Sequence, residues 1–202
     1  GTVYTSGTSE SYNACYWIDQ TRYDLPGSWG EAEAIAVDGD DVYVAGWFNN
    51  GSCYWKNGQK INLTVNRDSQ AFAIGVHNNG DVYVGGYYTS NHHYWIPCFW
   101  KNGTSRTNLQ SGEDGEVYDM VLMDGTTRYY AGNTTSLNNM LGYPPRACYW
   151  KNTRRNQLPK GGNFNSGLYG TGALGITTDG SDIYVAGFAD YIEDIGDSLN
   201  TG

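Results

Sequence analysis

The chain has 202 residues, a net charge of −9, and only 12 Lys and Arg residues. These cations are scattered along the chain, so the basic stripe that a phosphate backbone requires is missing, and nucleic acid is not an expected partner. No apolar run approaches the ~18 residues of a membrane-spanning helix, so we expect no membrane span. Gly (28) and Tyr (18) are abundant while charged residues make up 16%, a composition typical of short strands and tight turns.

Two short phrases recur along the chain. The first is a valine-tyrosine strand that ends in glycine, with copies at residues 3–7, 42–46, 82–86, 128–132 and 183–187. The second is Cys-aromatic-Trp, with copies at residues 15–17, 53–55, 98–100 and 148–150. The four tryptophans of this second phrase are 38, 45 and 50 residues apart, within or close to the periods of propeller blades and stacked arrays. The sequence therefore predicts a repeat protein.

The clearest copy of the repeat spans residues 32–63. Its predicted elements are a first strand at 34–37, a turn at 38–40, a second strand at 42–46, a third at 53–55, a turn at 57–58 and a fourth strand at 61–63. Asp-Gly and Asn-Gly supply the positive φ angles that hairpin turns favour. The two-residue period of a strand places Cys53 and Trp55 on one face and Tyr54 on the other. Each repeat thus predicts four short antiparallel strands.

Extended to the whole chain, the pattern predicts 17 strands, in groups of three, four, four, four and two. First strands are expected at 73–76, 120–123 and 173–176, and outer strands near Leu25, Leu109 and Leu158. We predict one all-β domain over residues 1–202, a β-propeller of four-stranded antiparallel blades. Its repeats lie at about 1–27, 28–64, 65–110, 111–159 and 160–202.

The number of strands fits neither four nor five complete blades. The terminal blade is therefore expected to be incomplete or closed by both termini. Unpaired strand edges are templates for hydrogen bonding, so the terminal strands could pair within the chain, with another copy, or with a surface partner. Head-to-tail pairing of copies would build a fibre. A fragment of a larger propeller is the third interpretation.

The motifs resemble those of secreted, mostly uncharacterised bacterial repeat proteins whose blades read VYVAG and then YWKNG. The matching segments are residues 42–46 with 54–58, 99–103 and 149–152; the first copy departs at Ile18-Asp19-Gln20, where Lys-Asn-Gly is lost. The resemblance covers essentially the whole chain. It implies a β-propeller and an extracellular or cell-surface location, and it supplies no catalytic residues.

The start of the chain and its glycosylation sequons bear on the cellular location of the protein. The chain begins with Gly and shows no signal peptide, so we expect a processed form or a segment of something longer. Four Asn-X-Ser/Thr sequons, at Asn50, Asn62, Asn102 and Asn133, are candidates for glycosylation and favour a secreted protein.

Four cysteines in a small secreted chain usually form disulfides. Here all four precede the aromatic-Trp pair of their repeats, and equivalent positions on neighbouring blades lie roughly 10 Å or more apart, beyond the Cα–Cα limit of about 7 Å. We therefore expect reduced, buried cysteines that pack as small apolar residues between blades.

The predicted loops between second and third strands emerge on one face and suit a binding site. The richest of them, residues 87–97, carries the expected glycan contacts Tyr88, His92, Tyr94 and Trp95. The alternative is a loop that only covers its own blade edge. Adjacent His92 and His93 point apart and lack a third ligand, so we expect neither a metal nor a cofactor.

Acidic groups outside the predicted repeat register raise a third possibility. Glu113, Asp114 and Glu116, and residues 193–197, could bind calcium or act as a glycosidase acid/base pair, or could be solvated loops. No nucleophile motif or phosphate-binding loop is present, so an enzyme is not expected.

Three functions follow in order of preference. The first is a non-catalytic extracellular interaction or structural module, either a self-assembling fibre-type subunit or a scaffold domain of a surface protein. The second is a lectin-like glycan-binding propeller. The third is a glycan-active hydrolase.

Overall fold

A computed structural model describes residues 1–27, 29–49, 51–63, 68–110, 112–123, 126–136, 144–159 and 170–190. Every regular element in these ranges is a β-strand, and the 17 strands form five antiparallel sheets. The prediction of an all-β fold is confirmed. Within the described ranges, no helix is long and apolar enough to cross a membrane.

The first two sheets have three and four strands. The first consists of β1 (Tyr4–Thr8), β2 (Ala14–Ile18) and β3 (Thr21–Asp24). The second consists of β4 (Gly30–Asp38), β5 (Asp41–Phe48), β6 (Gly51–Lys56) and β7 (Gln59–Asn62).

The remaining sheets have four, four and two strands. The third consists of β8 (Ser69–Val76), β9 (Val82–Thr89), β10 (Trp95–Lys101) and β11 (Ser105–Asn108). The fourth consists of β12 (Glu113–Leu122), β13 (Arg128–Ser136), β14 (Arg146–Lys151) and β15 (Arg154–Gln157). The fifth consists of β16 (Gly170–Thr178) and β17 (Ile183–Asp190). The predicted grouping of three, four, four, four and two strands is confirmed.

The first strands are longer than predicted because each contains a β-bulge. In β4 the register shifts between Ala32 and Ala34, so the strand begins at Gly30 and not at residue 34. The same shift occurs at equivalent positions of β8, β12 and β16. A bulge adds one unpaired residue and lets pairing continue beyond it. The bulge interrupts the two-residue alternation of side chains that the prediction relied on, so the first half of each first strand was mistaken for loop.

The hairpins between third and fourth strands share one hydrogen bond, in which a side chain of the turn accepts a backbone N–H. At the turn after β6, Asn57 and Gly58 have φ values of 49° and 80°, as the predicted Asn-Gly turn requires. The Asn57 side chain accepts the N–H of Val42 at 2.8 Å. Asp19, where the first copy departs from Lys-Asn-Gly, has a φ of 53° and accepts the N–H of Val3 at 2.9 Å. An aspartate therefore replaces the asparagine without loss of the contact.

Consecutive sheets pack face to face in chain order. The first strand of each sheet contacts the first three strands of the four-stranded sheet before it, so that β8 lies against β4, β5 and β6, and β12 against β8, β9 and β10. Trp55 and Cys53 pack toward the preceding sheet, with Leu25, whereas Tyr54 packs toward the following sheet. The predicted separation of these side chains onto two faces is confirmed.

The four cysteines are buried free thiols, as predicted, and Cys53, Cys98 and Cys148 lie in these interfaces. Cys98 and Trp100 are fully buried against the second sheet, and Cys148 and Trp150 against the third. Desolvation raises the pKa of Cys53 to about 12. The thiols thus behave as small apolar side chains.

Side-chain oxygens tie the second sheet to the third, the third to the fourth and the fourth to the fifth. The backbone N–H of Ser52 donates to Oγ of Ser69 at 2.9 Å. Two further ties are Trp95 N to Asp114 Oδ1 at 2.6 Å and Ala147 N to Thr171 Oγ1 at 2.7 Å. Each oxygen belongs to the first strand of the following sheet, so the first strands fix the spacing of the stack.

In the part of the chain that the structure describes, the two ends of the stack are not joined to each other. Among the described residues, the first and last sheets make no extensive contact. Tyr184 on β17 is 53% exposed, whereas its equivalent Tyr83 on β9 is 6% exposed because the next sheet covers it. Closure of the stack into a ring therefore stays a prediction.

Candidate functional site

A groove of about 320 Å³ lies at the end of the sheets where second strands finish and first strands begin. It is lined by three aromatic side chains and four polar residues: Trp47, Asp68, Ser69, Gln70, Tyr87, Thr89 and Trp95. These residues come from β5, β8, β9 and β10 and from the residue before β8. The groove therefore depends on the packing of the second sheet against the third.

Two of the aromatic rings form a pair. The centroids of Tyr87 and Trp95 are 5.1 Å apart with 31° between their planes. Tyr87 is buried, whereas Trp95 is 48% exposed and offers a free ring surface. Phe72, the bulge residue of β8, continues the aromatic contact at 6.0 Å from Tyr87. The exposed indole therefore rests on a rigid aromatic support.

Backbone contacts fix the position of the groove's polar residues. The N–H of Thr89 donates to the carbonyl of Asp68 at 2.7 Å. The hydroxyl of Ser69 is buried and hydrogen-bonded to the hydroxyl of Ser52 at 2.8 Å. Asp68 is exposed and Gln70 is half-buried, so both side chains are placed to meet a ligand while their backbone is held.

Carboxylates make the surroundings of the groove electronegative. Desolvation, then Glu116 and Asp68, raise the pKa of Tyr87 to about 12. Desolvation and the neighbouring Glu31 raise the pKa of Glu33, and a hydrogen bond with Trp47 opposes that shift. The backbone N–H of Trp95 donates to Asp114. Each of the three aromatic residues of the groove therefore has a carboxylate beside it.

The four predicted glycan contacts differ in their position relative to the groove. Trp95 lines the groove, whereas Tyr88 does not, because successive residues of β9 point to opposite faces. The Arg106 guanidinium lies 3.6 Å from the centre of the Tyr88 ring, and Asn108 donates to the Tyr88 hydroxyl at 3.2 Å. The Tyr88 side chain therefore makes these contacts within its own sheet.

His92 and Tyr94 belong to a compact turn beside the groove. The predicted loop of residues 87–97 contracts to residues 90–94, because Tyr87–Thr89 end β9 and Trp95 begins β10. The Ser90 hydroxyl accepts the N–H of Tyr94 at 3.1 Å, and His93 has a φ of 64°. His92 and Tyr94 are exposed with ring centroids 6.3 Å apart. They flank the groove and do not line it.

The carboxylates predicted to lie outside the repeat register are part of β12, which corrects that placement. Glu113 forms an ion pair with Arg155, which also donates to Thr134 Oγ1 at 2.9 Å. Asp114 accepts from Trp95, and Glu116 accepts from the Tyr118 hydroxyl. Each carboxylate therefore has a structural partner. Residues 193–197 lie outside the described residues.

Desolvation raises the pKa of both Asp114 and Glu116. For Glu116 the hydrogen bond from Tyr118 lowers the pKa and the nearby Asp114 raises it further. Within the part of the chain that the structure describes, no group of three or more His, Cys, Asp or Glu side chains is arranged to hold a metal ion.

The four glycosylation candidates differ in accessibility. Asn62 and Asn102 are exposed, whereas Asn133 is buried and donates to the Tyr118 hydroxyl at 3.0 Å. Asn102 uses its amide at a turn, where it donates to Asp81 at 2.8 Å. Asn50 lies outside the described residues.

Sequence reasoning missed Trp47, Asp68 and Gln70. Trp47 directly follows the predicted second strand of its repeat, residues 42–46, at the position that Tyr87 occupies in the next repeat. An aromatic residue at that position in two neighbouring repeats was the available signal. Asp68 and Gln70 gave none, because the first strand was predicted to begin only at residue 73.

Comparison of the chain with protein-family models gave no match, and comparison with curated proteins gave no significant match. The resemblance to secreted bacterial repeat proteins stays a prediction.

Proposed function

We propose that this protein is a non-catalytic, glycan-binding β-propeller that acts outside the cell or at its surface. The observation that carries the proposal is the groove, where Trp47, Tyr87 and Trp95 offer aromatic surface beside polar side chains. Sugar rings have apolar CH faces that pack on aromatic rings and hydroxyls that hydrogen-bond with amides and carboxylates. Its volume of about 320 Å³ is at the lower end of the range of small-molecule sites, about 300–1,000 Å³.

The order of the sheets supports the propeller. First strands contact one another in succession, β4 with β8, β8 with β12 and β12 with β16. That succession is the one expected of innermost strands arranged around a propeller axis. Exposed sequons at Asn62 and Asn102 support a secreted protein.

Binding is favoured over hydrolysis by the partners of the candidate acids. Glu113 is engaged by Arg155, and Asp114 holds β10 against β12. A glycosidase needs two carboxylates on either side of the scissile bond, free to move a proton. Carboxylates that tie sheets together are poorly suited to that role.

A glycan array tests the proposal with three proteins: wild type, Trp95→Ala and Trp29→Ala. Trp29 is a matched control because it is 69% exposed and stacks on Tyr12, away from the groove lining. We expect wild type and Trp29→Ala to bind the same glycans and Trp95→Ala to lose about tenfold or more in affinity. Absence of binding by wild type, or full binding by Trp95→Ala, would contradict the proposal.

A second candidate function is a scaffold that contacts copies of itself or a surface partner through its terminal sheets. It is favoured by the exposure of Tyr184 and Phe188, at 53% and 43%, on the last sheet. Light scattering and negative-stain images of one sample test it. Rods, chains or a large mass that Tyr184→Lys disperses would support a scaffold, whereas a monodisperse particle of 22.3 kDa would exclude self-assembly.

A further inference from the structure

The charge of the groove lining is negative. Its described lining contains the carboxylate of Asp68 and no Lys, Arg or His side chain. Glu33 contacts Trp47 and Asp114 accepts from Trp95, so further carboxylates stand directly behind the aromatic residues. A ligand that packs on these rings therefore meets negative potential from more than one side.

Several described cations of the second, third and fourth sheets are engaged elsewhere. Arg106 lies over the Tyr88 ring, on the other face of β9 from Tyr87. Lys60 lies 3.9 Å from the centre of the Phe48 ring, and Arg155 pairs with Glu113. These three cations therefore do not compensate the charge of the groove.

Aromatic faces and carboxylates together favour one ligand chemistry. A cation over a Trp or Tyr ring is attracted by the negative face of the ring, and more so where water is partly excluded. A carboxylate adds a charge-assisted hydrogen bond to an ammonium group. An acidic sugar would instead place like charges together, which is unfavourable.

We propose that the groove selects glycans whose sugars carry free ammonium groups, such as oligomers of glucosamine, over their N-acetylated and uronic acid counterparts. The inference rests on the proposed glycan-binding function. Trp95 supplies the stacking surface for the sugar ring, and Asp68 supplies the counter-charge for its ammonium group. Acetylation removes that charge, and a uronate reverses it.

The test is calorimetry with four probes: glucosamine oligomers, N-acetylglucosamine oligomers, galacturonate oligomers and oligolysine. A mildly acidic buffer keeps the sugar amine protonated. The proteins are wild type, Asp68→Asn, Trp95→Ala and Asp40→Asn. The last is a matched control because Asp40 is an exposed aspartate in the turn between β4 and β5, at the opposite end of the sheet.

We expect wild type and Asp40→Asn to bind glucosamine oligomers about fivefold or more tightly than the N-acetylated ones, the effect of one ion pair. Asp68→Asn should abolish this preference, and Trp95→Ala should weaken binding of both glycans. Equal affinity for the two glycans, or tighter binding of galacturonate, overturns the inference and leaves glycan binding in place. Oligolysine bound as tightly as glucosamine overturns it as well, since charge alone would then explain binding. No binding to any glycan overturns the proposed function itself.

Discussion

The side-chain oxygen of Asn152 accepts the backbone N–H of Arg128, with 3.0 Å between Oδ1 and N. The N–H of Asn152 donates in return to the Arg128 carbonyl at 2.7 Å, and Asn152 has a φ of 56°. Asn visits this left-handed conformation more readily than most residues because its short polar side chain hydrogen-bonds locally. One residue thus shapes the turn after β14 and secures the start of β13.

Replacement of this residue should destabilise the protein in a graded way. Asn152→Ala loses both the conformational preference and the acceptor, and should lower the free energy of unfolding by about 1–2 kcal/mol. Asn152→Gly keeps the turn but loses the oxygen, which should cost about 1 kcal/mol. Asn152→Asp should change the stability by less than ~0.5 kcal/mol, since Asp19 makes the same contact. Urea denaturation measures all three, and an alanine variant as stable as wild type would contradict this account.

A glycine inside each of β5, β9, β13 and β17, opposite the bulge, allows the close approach of the first strand. A Cβ at Gly86 would overlap the carbonyl oxygen of Gln70 across the bulge of β8. Because that neighbour is backbone, Gly86→Ala should cost about 3 kcal/mol or more, or prevent folding. Gly175→Ala is the matched control, since its Cβ would meet atoms only at 3.8 Å or beyond. Thermal unfolding of both variants is the measurement, and equal midpoints would show that the bulge yields easily.

The buried thiols should resist alkylation while the protein is folded. Desolvation raises the pKa of Cys53 and of Cys148 to about 12, and the thiolate is the reactive form. Intact mass after iodoacetamide treatment near neutral pH should show no adduct on native protein and four adducts after unfolding. Ser105→Cys, at an exposed position of β11, is the positive control and should gain one adduct at once. Rapid native labelling of wild type would place the cysteines at the surface.

The Glu116 carboxyl should make stability fall as pH rises. Its pKa is raised in the folded protein, chiefly by desolvation, so the folded state binds the proton more tightly than the unfolded chain. The free energy of unfolding should therefore decline between the ordinary glutamate pKa and the raised value. Glu116→Gln removes the ionisation and keeps an acceptor for Tyr118, so it should be more stable than wild type above this range and no more stable below it.

Urea denaturation across a pH series measures this difference. Glu10→Gln is the control for loss of one negative charge, because Glu10 is exposed in the loop after β1. A stability difference between Glu116→Gln and wild type that does not depend on pH would show that Glu116 is not the responsible group.

Local chemistry in the repeat accounts for the part of the fold that was predictable. Asn-Gly and Asp-Gly turns and the alternation of Cys53, Tyr54 and Trp55 depend on residues close in sequence. The bulge at Glu33 in β4 was not predictable, because it requires the pairing of Ala32 and Ala34 with a second strand. For the same reason Glu113–Glu116 were mistaken for loop.

The candidate site was only partly accessible to sequence reasoning. Trp95 was named because it lies in an aromatic segment. Tyr88 was grouped with it, but the pairing of β9 with β10 extends further than predicted and includes residue 88. Once residue 88 lies in β9, its side chain must point away from that of Tyr87. The only signal for Trp47, which lies 48 residues before Trp95, was the aromatic residue Tyr87 at the same position of the next repeat.

The sequence by itself determined the class of fold, the number and grouping of strands, the hairpin turns and the burial of the cysteines, because these follow from short-range periodicity and turn chemistry. The tertiary structure decided which side chains meet. Packing of the second sheet against the third brings Trp47, Asp68 and Trp95 to one groove. The hydrogen bond from the Trp95 backbone N–H gives Asp114, a candidate catalytic acid in the sequence, a structural role between two sheets. Such contacts join residues that no sequence period relates, and only the stacking of whole sheets creates them.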